Sequence, residues 1–270
     1  MESKIIYNPE TQSRLRSEIL KMIHAGKSGH PGGSLSVIDI LLCLFADIMK
    51  YQPQDPLWAD RDRCVLSKGH GVPALYAVLA EAGYFPKEWL MTLRQLGSPL
   101  QGHPDRFRMP AVEAATGSLG QGLSIAQGMA LAGRVDKKDY RVFCVMGDGE
   151  IQEGQVWEAA MSAANFKLNN LTAIVDYNHG QIDGRSDEVM NLEPLTDKWR
   201  AFGWHVTECD GHSHAELKKV LTAKDASKPT LVVAHTIKGK GVSFMEGKID
   251  WHGVAPTDQQ LSDALKELAR

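Results

Sequence analysis

The sequence predicts an α/β fold, a parallel sheet with helices on both faces. Three observations carry that reading. Strand-length apolar runs alternate with segments of helical periodicity through the second half of the chain, and such alternation implies parallel strands joined by right-handed crossovers. At 270 residues, 43% of them hydrophobic, the chain is long enough to bury a substantial core. No internal repeat or low-complexity linker divides it, so a single domain over residues 1–270 is the economical expectation.

In chain order, Leu15, Ile19, Leu20, Met22 and Ile23 recur at helical spacing within Thr11–Ala25, and Gly26 supplies the stop. Lys27–Ser34 is a Gly/Pro/Ser loop. A helix through Val37 and Leu44 follows and runs toward Pro53 and Pro56. Arg63–Leu66 reads as a strand. Between Gly97 and Gly117 the chain is rich in glycine and proline and weakly periodic, and so long a loop is expected to wall a site. Helices are then expected at Leu119–Arg134, Gln155–Asn165, Leu195–Phe202 and Ala215–Ala223, alternating with strands at Tyr140–Met146, Leu171–Tyr177, Trp204–Cys209 and Thr230–Ala234. Asp258–Leu268 forms a peripheral C-terminal helix.

Composition narrows the function. Lys and Arg total 30 against 33 Asp and Glu, a net charge of -3, so no cationic field draws in nucleic acid. Cys43, Cys64, Cys144 and Cys209 are scattered without paired spacing, which fits a reducing, cytoplasmic setting. Met1–Glu10 lacks the apolar core of a secretory signal. The most apolar stretch, Val37–Met49, is broken by Asp39 and Asp47; it is expected to be a buried amphipathic helix too short for a bilayer span.

The strand ending at Met146 runs into Gly147-Asp148-Gly149 and then a helix. Ligands collect beyond the carboxyl ends of parallel strands, where glycines admit a phosphate and the next helix offers unpaired N–H groups. Gly-Asp-Gly alone is a common turn. Asn178, however, ends the next strand, and two strands joined by one helix usually lie side by side. Asp148, Asn178 and the Gly180 carbonyl then offer one divalent ion hard oxygen donors, suited to Mg2+ or Ca2+ rather than zinc. His30, His70, His103 and His252 sit beside glycines in expected loops, where imidazole could move protons or donate hydrogen bonds. His24, His205, His212, His214 and His235 read as ordinary solvated or hydrogen-bonded side chains.

Gly147-Asp-Gly-Glu-Ile-Gln-Glu153-Gly154 with Tyr177-Asn-His-Gly-Gln-Ile-Asp183-Gly184 resembles the thiamin diphosphate signature in its transketolase form. Ser28-Gly-His-Pro-Gly-Gly33, Leu66-Ser-Lys-Gly-His-Gly71, Gly102-His-Pro104 and Thr116-Gly-Ser-Leu-Gly-Gln-Gly122 are similar to transketolase segments in the same order. The resemblance runs from about Arg14 to Pro256. It implies a diphosphate-binding (PP-type) fold in which Asp148, Asn178 and Gly180 hold the metal. Gly149 and His70 would meet the cofactor's diphosphate, and Gly117, Ser118 and Leu119 its aminopyrimidine through their backbone. Ser118 stands where the family commonly has proline. His30, His103 and His252 would line the substrate channel, with His252 also touching cofactor.

In that family the glutamate that activates the cofactor lies in a pyrimidine-binding domain, and a C-terminal domain follows. The sequence holds neither, so the resemblance implies the N-terminal subunit of a split transketolase. It would transfer a ketol unit between sugars or sugar phosphates after pairing with a C-terminal subunit, in an α2β2 heterotetramer. An α-type subunit of a 2-oxo-acid dehydrogenase and a non-catalytic cofactor-binding module stand as alternatives. Glu153 reads equally as a helix-dipole partner or an interface residue. Lys238 and Lys240 read equally as phosphate-reaching or solvated.

Overall fold

Helix α1 (Pro9–Ala25) starts where the Asn8 side chain accepts the Thr11 backbone N–H at 2.8 Å, and it stops at Gly26. Pro31 sits in the first turn of α2 (Pro31–Cys43), where its missing N–H costs nothing. The structure, a computed structural model, describes residues 5–223 and 225–269; the first residues of the N-terminal stretch read above, 1–4, lie outside it.

Helix α2 runs straight into a π-helical turn at Leu44–Ile48 and ends at Met49. The continuous run Pro31–Ile48 begins within the expected loop 27–34 and stops short of Pro53 and Pro56, and by length and composition it could cross a membrane. Every residue of α2 is buried against protein, so it has no solvated face and is a core helix rather than an amphipathic one. Its polar side chains are satisfied internally. Asp39 accepts from Arg16 of α1 at 2.5 Å, Gln12 at 2.8 Å and His212 at 2.6 Å.

Strand β1 (Arg63–Leu66) leads to α3 (Val72–Glu81), an element absent from the sequence reading. Nine of its ten residues, Val72–Ala80, are buried, and a stretch apolar on all sides has no helical period to detect. The irregular segment 93–120 follows, then α4 (Gln121–Val135), β2 (Val142–Gly147), α5 (Gly154–Asn165) and β3 (Leu171–Tyr177). A short hairpin, β4 (Gly180–Gln181) with β5 (Gly184–Arg185), precedes α6 (Ser186–Val189) and α7 (Leu195–Ala201). Strand β6 (His205–Asp210), α8 (His214–Thr222), β7 (Thr230–His235) and α9 (Asp258–Leu268) complete the chain. Apart from α2, expected to run on to the Pro53 and Pro56 region, the expected strands and helices fall within about two residues of these bounds, ordinary scatter for element ends.

The five main strands are parallel, as expected, and lie in the order β1-β2-β3-β7-β6. Successive side chains of β2 alternate between two cores. Phe143 and Val145 pack with α1, α2 and α3, whereas Val142, Cys144 and Met146 pack with α4 and α5. From β1 to β3 the chain steps one way across the sheet; after β3 it jumps to the far edge at β6 and returns to β7. That reversal opens a crevice at the carboxyl ends of β3 and β7, where open α/β sheets bind ligands.

Arg16 and Asp39 form a buried ion pair across α1 and α2, with side chains 7% and 0% exposed. Breaking such a pair leaves a buried charge uncompensated. Asp39→Ala is expected to lower unfolding free energy by about 3–5 kcal/mol, measured by urea denaturation.

Candidate functional site

Four strand ends and the start of α2 meet around a cavity of about 410 Å3. The segment after β1 supplies Lys68 and His70, and that after β2 supplies Gly147–Glu150. Asn178 and Gly180 come from the segment after β3, Lys238 from that after β7, and His30 caps α2. His103, Gly117 and Leu119 come from the long irregular segment expected to wall a site, and His252 from the last loop. Ser118 is exposed beside the cavity and outside its lining.

Asp148 and Asn178 converge because β2 and β3 pair with Gly147 opposite Asp176, which brings the residues beyond both strand tips to one edge. Asn178 turns its amide NH2 inward, donating to Ser36 at 3.1 Å and Asp176 at 3.3 Å, while its Oδ1 accepts the Gly180 N–H at 3.1 Å. Asp148 is 1% exposed and accepts from Ser186 at 2.6 Å. Burial raises its carboxyl above the ordinary range, outweighing the more distant Lys68 charge, because no cation among the described residues pairs with it directly. Asp176, one strand over, behaves oppositely. Burial would raise it too, but Lys68 at 2.5 Å and hydroxyls from Ser36 and Thr236 hold it below the ordinary range.

A buried carboxylate short of positive charge, beside an amide oxygen and a carbonyl, is the donor set a hard divalent cation takes. Among the described residues no cluster of three His, Cys, Asp or Glu side chains could hold a metal, so this donor set joins a single carboxylate to amide and backbone oxygens. The opposite wall favours an anion. Lys238 is 2% exposed, donates to the Gly180 carbonyl at 3.2 Å and contacts His252 Nδ1 at 3.0 Å. Burial, then the nearby Lys68 charge, lowers its ammonium to about 8. Neither donor contact neutralises it. Gly33 lies against this wall, where a Cβ would be in van der Waals contact with Lys68 Nζ at 3.4 Å and His70 Nε2 at 3.5 Å.

Four imidazoles form a cluster at the cavity mouth. His30 lies 5.2 Å from His70, 6.3 Å from His103 and 5.6 Å from His252 by ring centroids, and His70 stacks on His252 at 5.2 Å. Gly117, at φ +138°, has no Cβ to collide with the His103 ring. Burial lowers His30 to about 4 and His252 to about 3, and it lowers His70 and His103 as well. All four are neutral at pH 7. The histidines given an ordinary reading take ordinary partners: His24 with Asp258, His214 with Asp47, His235 with Glu208.

Sequence reasoning left Lys238 open and passed over Lys68, Asp176, Ser36, Glu150 and Ser186. An acid inside the apolar run Leu171–Tyr177 was the available signal for Asp176; partners distant in sequence decide the rest. Glu150 is buried and accepts from Ser67, Gly120 and Gly147, so it braces the turn after β2. Lys240 lies 3.4 Å from Glu246, and Glu153 is exposed at the start of α5 on the cavity rim.

Histidines neutral when folded but charged when unfolded couple stability to pH. Between the ordinary value of 6.5 and folded values of about 4 and about 3, the unfolded chain binds more protons. Stability is thus expected to fall as pH drops from 6.5 toward 4, and His30→Asn with His252→Asn to flatten that slope in urea denaturation.

The family model for the transketolase thiamine diphosphate binding domain matches residues 9–269. The 6-deoxy-6-sulfo-D-fructose transketolase subunit SqwG of Clostridium sp. (strain MSTE9) is 50% identical over 244 residues, covering 90% of this chain and 89% of that one. One of the subunits of the apulose-4-phosphate transketolase of Phocaeicola vulgatus is 44% identical, covering 94% of this chain and 91% of that one. The transketolase from Leishmania mexicana superposes with a TM-score of 0.91 at 34% identity, covering 98% of this chain but only 42% of that one. With the strand-tip oxygens, the buried lysines and the histidine cluster in place, the chain belongs to the transketolase family and carries its thiamine diphosphate binding domain.

Proposed function

We propose that this chain is the N-terminal subunit of a two-chain transketolase, moving a two-carbon ketol unit from a ketose to an aldose with thiamin diphosphate and Mg2+. The observation that carries the reading is the opposition, within one cavity, of a buried carboxylate at Asp148 and a buried ammonium at Lys238, neither held in a direct ion pair among the described residues. A metal diphosphate answers both. Asp148, Asn178 and the Gly180 carbonyl would hold the cation, and His70, Lys238 and the Gly149 N–H would meet the phosphate oxygens. For the Gly180 carbonyl to turn to the metal, Lys238 must exchange that contact for a phosphate oxygen.

Thiamin diphosphate, when bound, supplies a nucleophilic ring carbon. The chain's own part is proton handling. His30, His103 and His252 face the mouth as neutral imidazoles, able to accept a proton from a sugar hydroxyl and return it. Gly117 and Leu119, with the exposed Ser118 backbone beside them, would flank the aminopyrimidine end.

Two relatives of matching length are named as subunits, while this chain spans 42% of the Leishmania transketolase. This supports a second polypeptide that brings the pyrimidine-binding domain and activating glutamate, in an α2β2 assembly with Glu153 at the rim of the contact. The subunit relatives are named for a sulfonated and a phosphorylated sugar, so the donor class proposed is a ketose with a terminal anionic group. Four buried free cysteines suit a reducing cytoplasm.

The chain alone, with saturating Mg2+ and thiamin diphosphate, is expected to show no ketol transfer from a ketose to an aldose in a coupled assay. Addition of its partner subunit should restore transfer, and strong activity of the single chain would refute the two-chain reading. Asp148→Asn removes a metal ligand and also a costly buried charge. It should abolish Mg2+-dependent cofactor binding in calorimetry while leaving the metal-free unfolding midpoint unchanged or higher.

A further inference from the structure

Behind the histidine cluster sits a guanidinium that the proposed chemistry does not use. Arg94 lies in the irregular segment with a left-handed backbone, φ +60°, a conformation a non-glycine residue holds only when its surroundings enforce it. Its side chain reaches two separate loops. Nη1 donates to Ser28 Oγ at 3.1 Å, two residues before His30, and Nη2 donates to the Gly102 carbonyl at 3.2 Å, one residue before His103. A Cβ on Gly102 would stand 2.6 Å from the guanidinium carbon, so the fork lies flat against a residue that leaves it room. Among the described residues no Asp or Glu pairs with it, and its Nε is buried without a hydrogen-bond partner.

We infer that Arg94 is the positioning residue that sets His30 against His103, tying their two loops together and placing one fixed positive charge beside both rings. Residues 27–30 and 101–103 lie in no common helix or strand, and Arg94 bonds to both. A planar fork with several donors serves better than the single ammonium of lysine. The charge matters as much as the bonds. After burial, Arg94 is the first electrostatic cause of the lowered His30 and the cause that follows burial for His103. The other groups facing His30 are His103, Lys238 and Lys68, with the rings of His70 and His252, and none is acidic. Arg94 thereby adds to burial in disfavouring protonation of both imidazoles, without touching substrate itself.

The consequence for turnover rests on the function proposed above, but the device can be tested without cofactor, substrate or partner. Failure here leaves that reading standing, and failure of that reading leaves this one. Histidine ring resonances of the full chain are titrated by NMR, assigned through His30→Asn and His103→Asn, in wild type, Arg94→Gln and Arg94→Lys. Hydrogen exchange is followed at amides 28–30 and 101–103. Arg94→Gln should move both histidine midpoints up toward the ordinary 6.5. Arg94→Lys should keep them depressed, and both variants should speed exchange in the two loops together. Midpoints unmoved in Arg94→Gln, or only one loop loosened, would overturn the inference. If Arg94→Gln does not fold, Arg94→Lys decides through its exchange pattern, since a side chain without a bracing role would leave both loops unchanged.

Discussion

Asp176 has no access to water and accepts hydrogen bonds from four places in the chain, and the site depends on it. Lys68 reaches it from the end of β1, Ser36 from α2, Thr236 from the end of β7, and Asn178 from two residues onward. A buried carboxylate so fully partnered is stable only with all its donors in place. It therefore fixes the relation of three strand ends and one helix at the crevice where the chain reverses across the sheet. Asn178 faces its oxygen outward because its NH2 is already committed to this network.

Asp148 shows the other side of the same physics. It sits one strand away and equally out of water, but it has no direct ion-pair partner among the described residues, and burial outweighs the attraction of Lys68. Across the cavity Lys238 likewise has no direct ion-pair partner among the described residues, and burial and the Lys68 charge outweigh the pull of Asp148 and Asp176. Structural charges are neutralised inside the protein, and functional ones await a ligand to do so. That contrast separates Asp148 from Asp176 more sharply than either residue's sequence neighbours do. The support of Lys238 reaches beyond the cavity. His212 accepts the Ile237 N–H at 2.9 Å while held by Asp39, so the buried charges between α1 and α2 also fix the segment carrying the lysine.

Much of the fold was legible because strands and helices in an alternating α/β chain advertise themselves by length, period and glycine punctuation. The strand from Leu171 and the helix from Gln155 needed no tertiary knowledge. Helix α3 was illegible for the opposite reason, since Val72–Ala80 is apolar on every side. The extent of α2 was misjudged because Asp39 and Asp47 look like a solvated face in one dimension. In three dimensions Asp39 meets Arg16 and His212, and Asp47 meets His214 and Lys218.

The candidate site divides in the same way. Gly147-Asp148-Gly149, Asn178 and the glycine-flanked histidines were readable because backbone approach to a phosphate and strand-tip placement leave local marks. The roles of Lys68, Lys238 and Arg94 were not, since a lysine or arginine in a glycine-rich segment has the same local sequence whether solvated or buried. By itself the sequence determined the order of strands and helices, their buried faces and the residues beyond the strand tips, all set by short-range periodicity and turn chemistry. Only the tertiary structure decided which charges are cancelled and which are left open. Charge compensation depends on distances between residues far apart in the chain, and no local pattern encodes them.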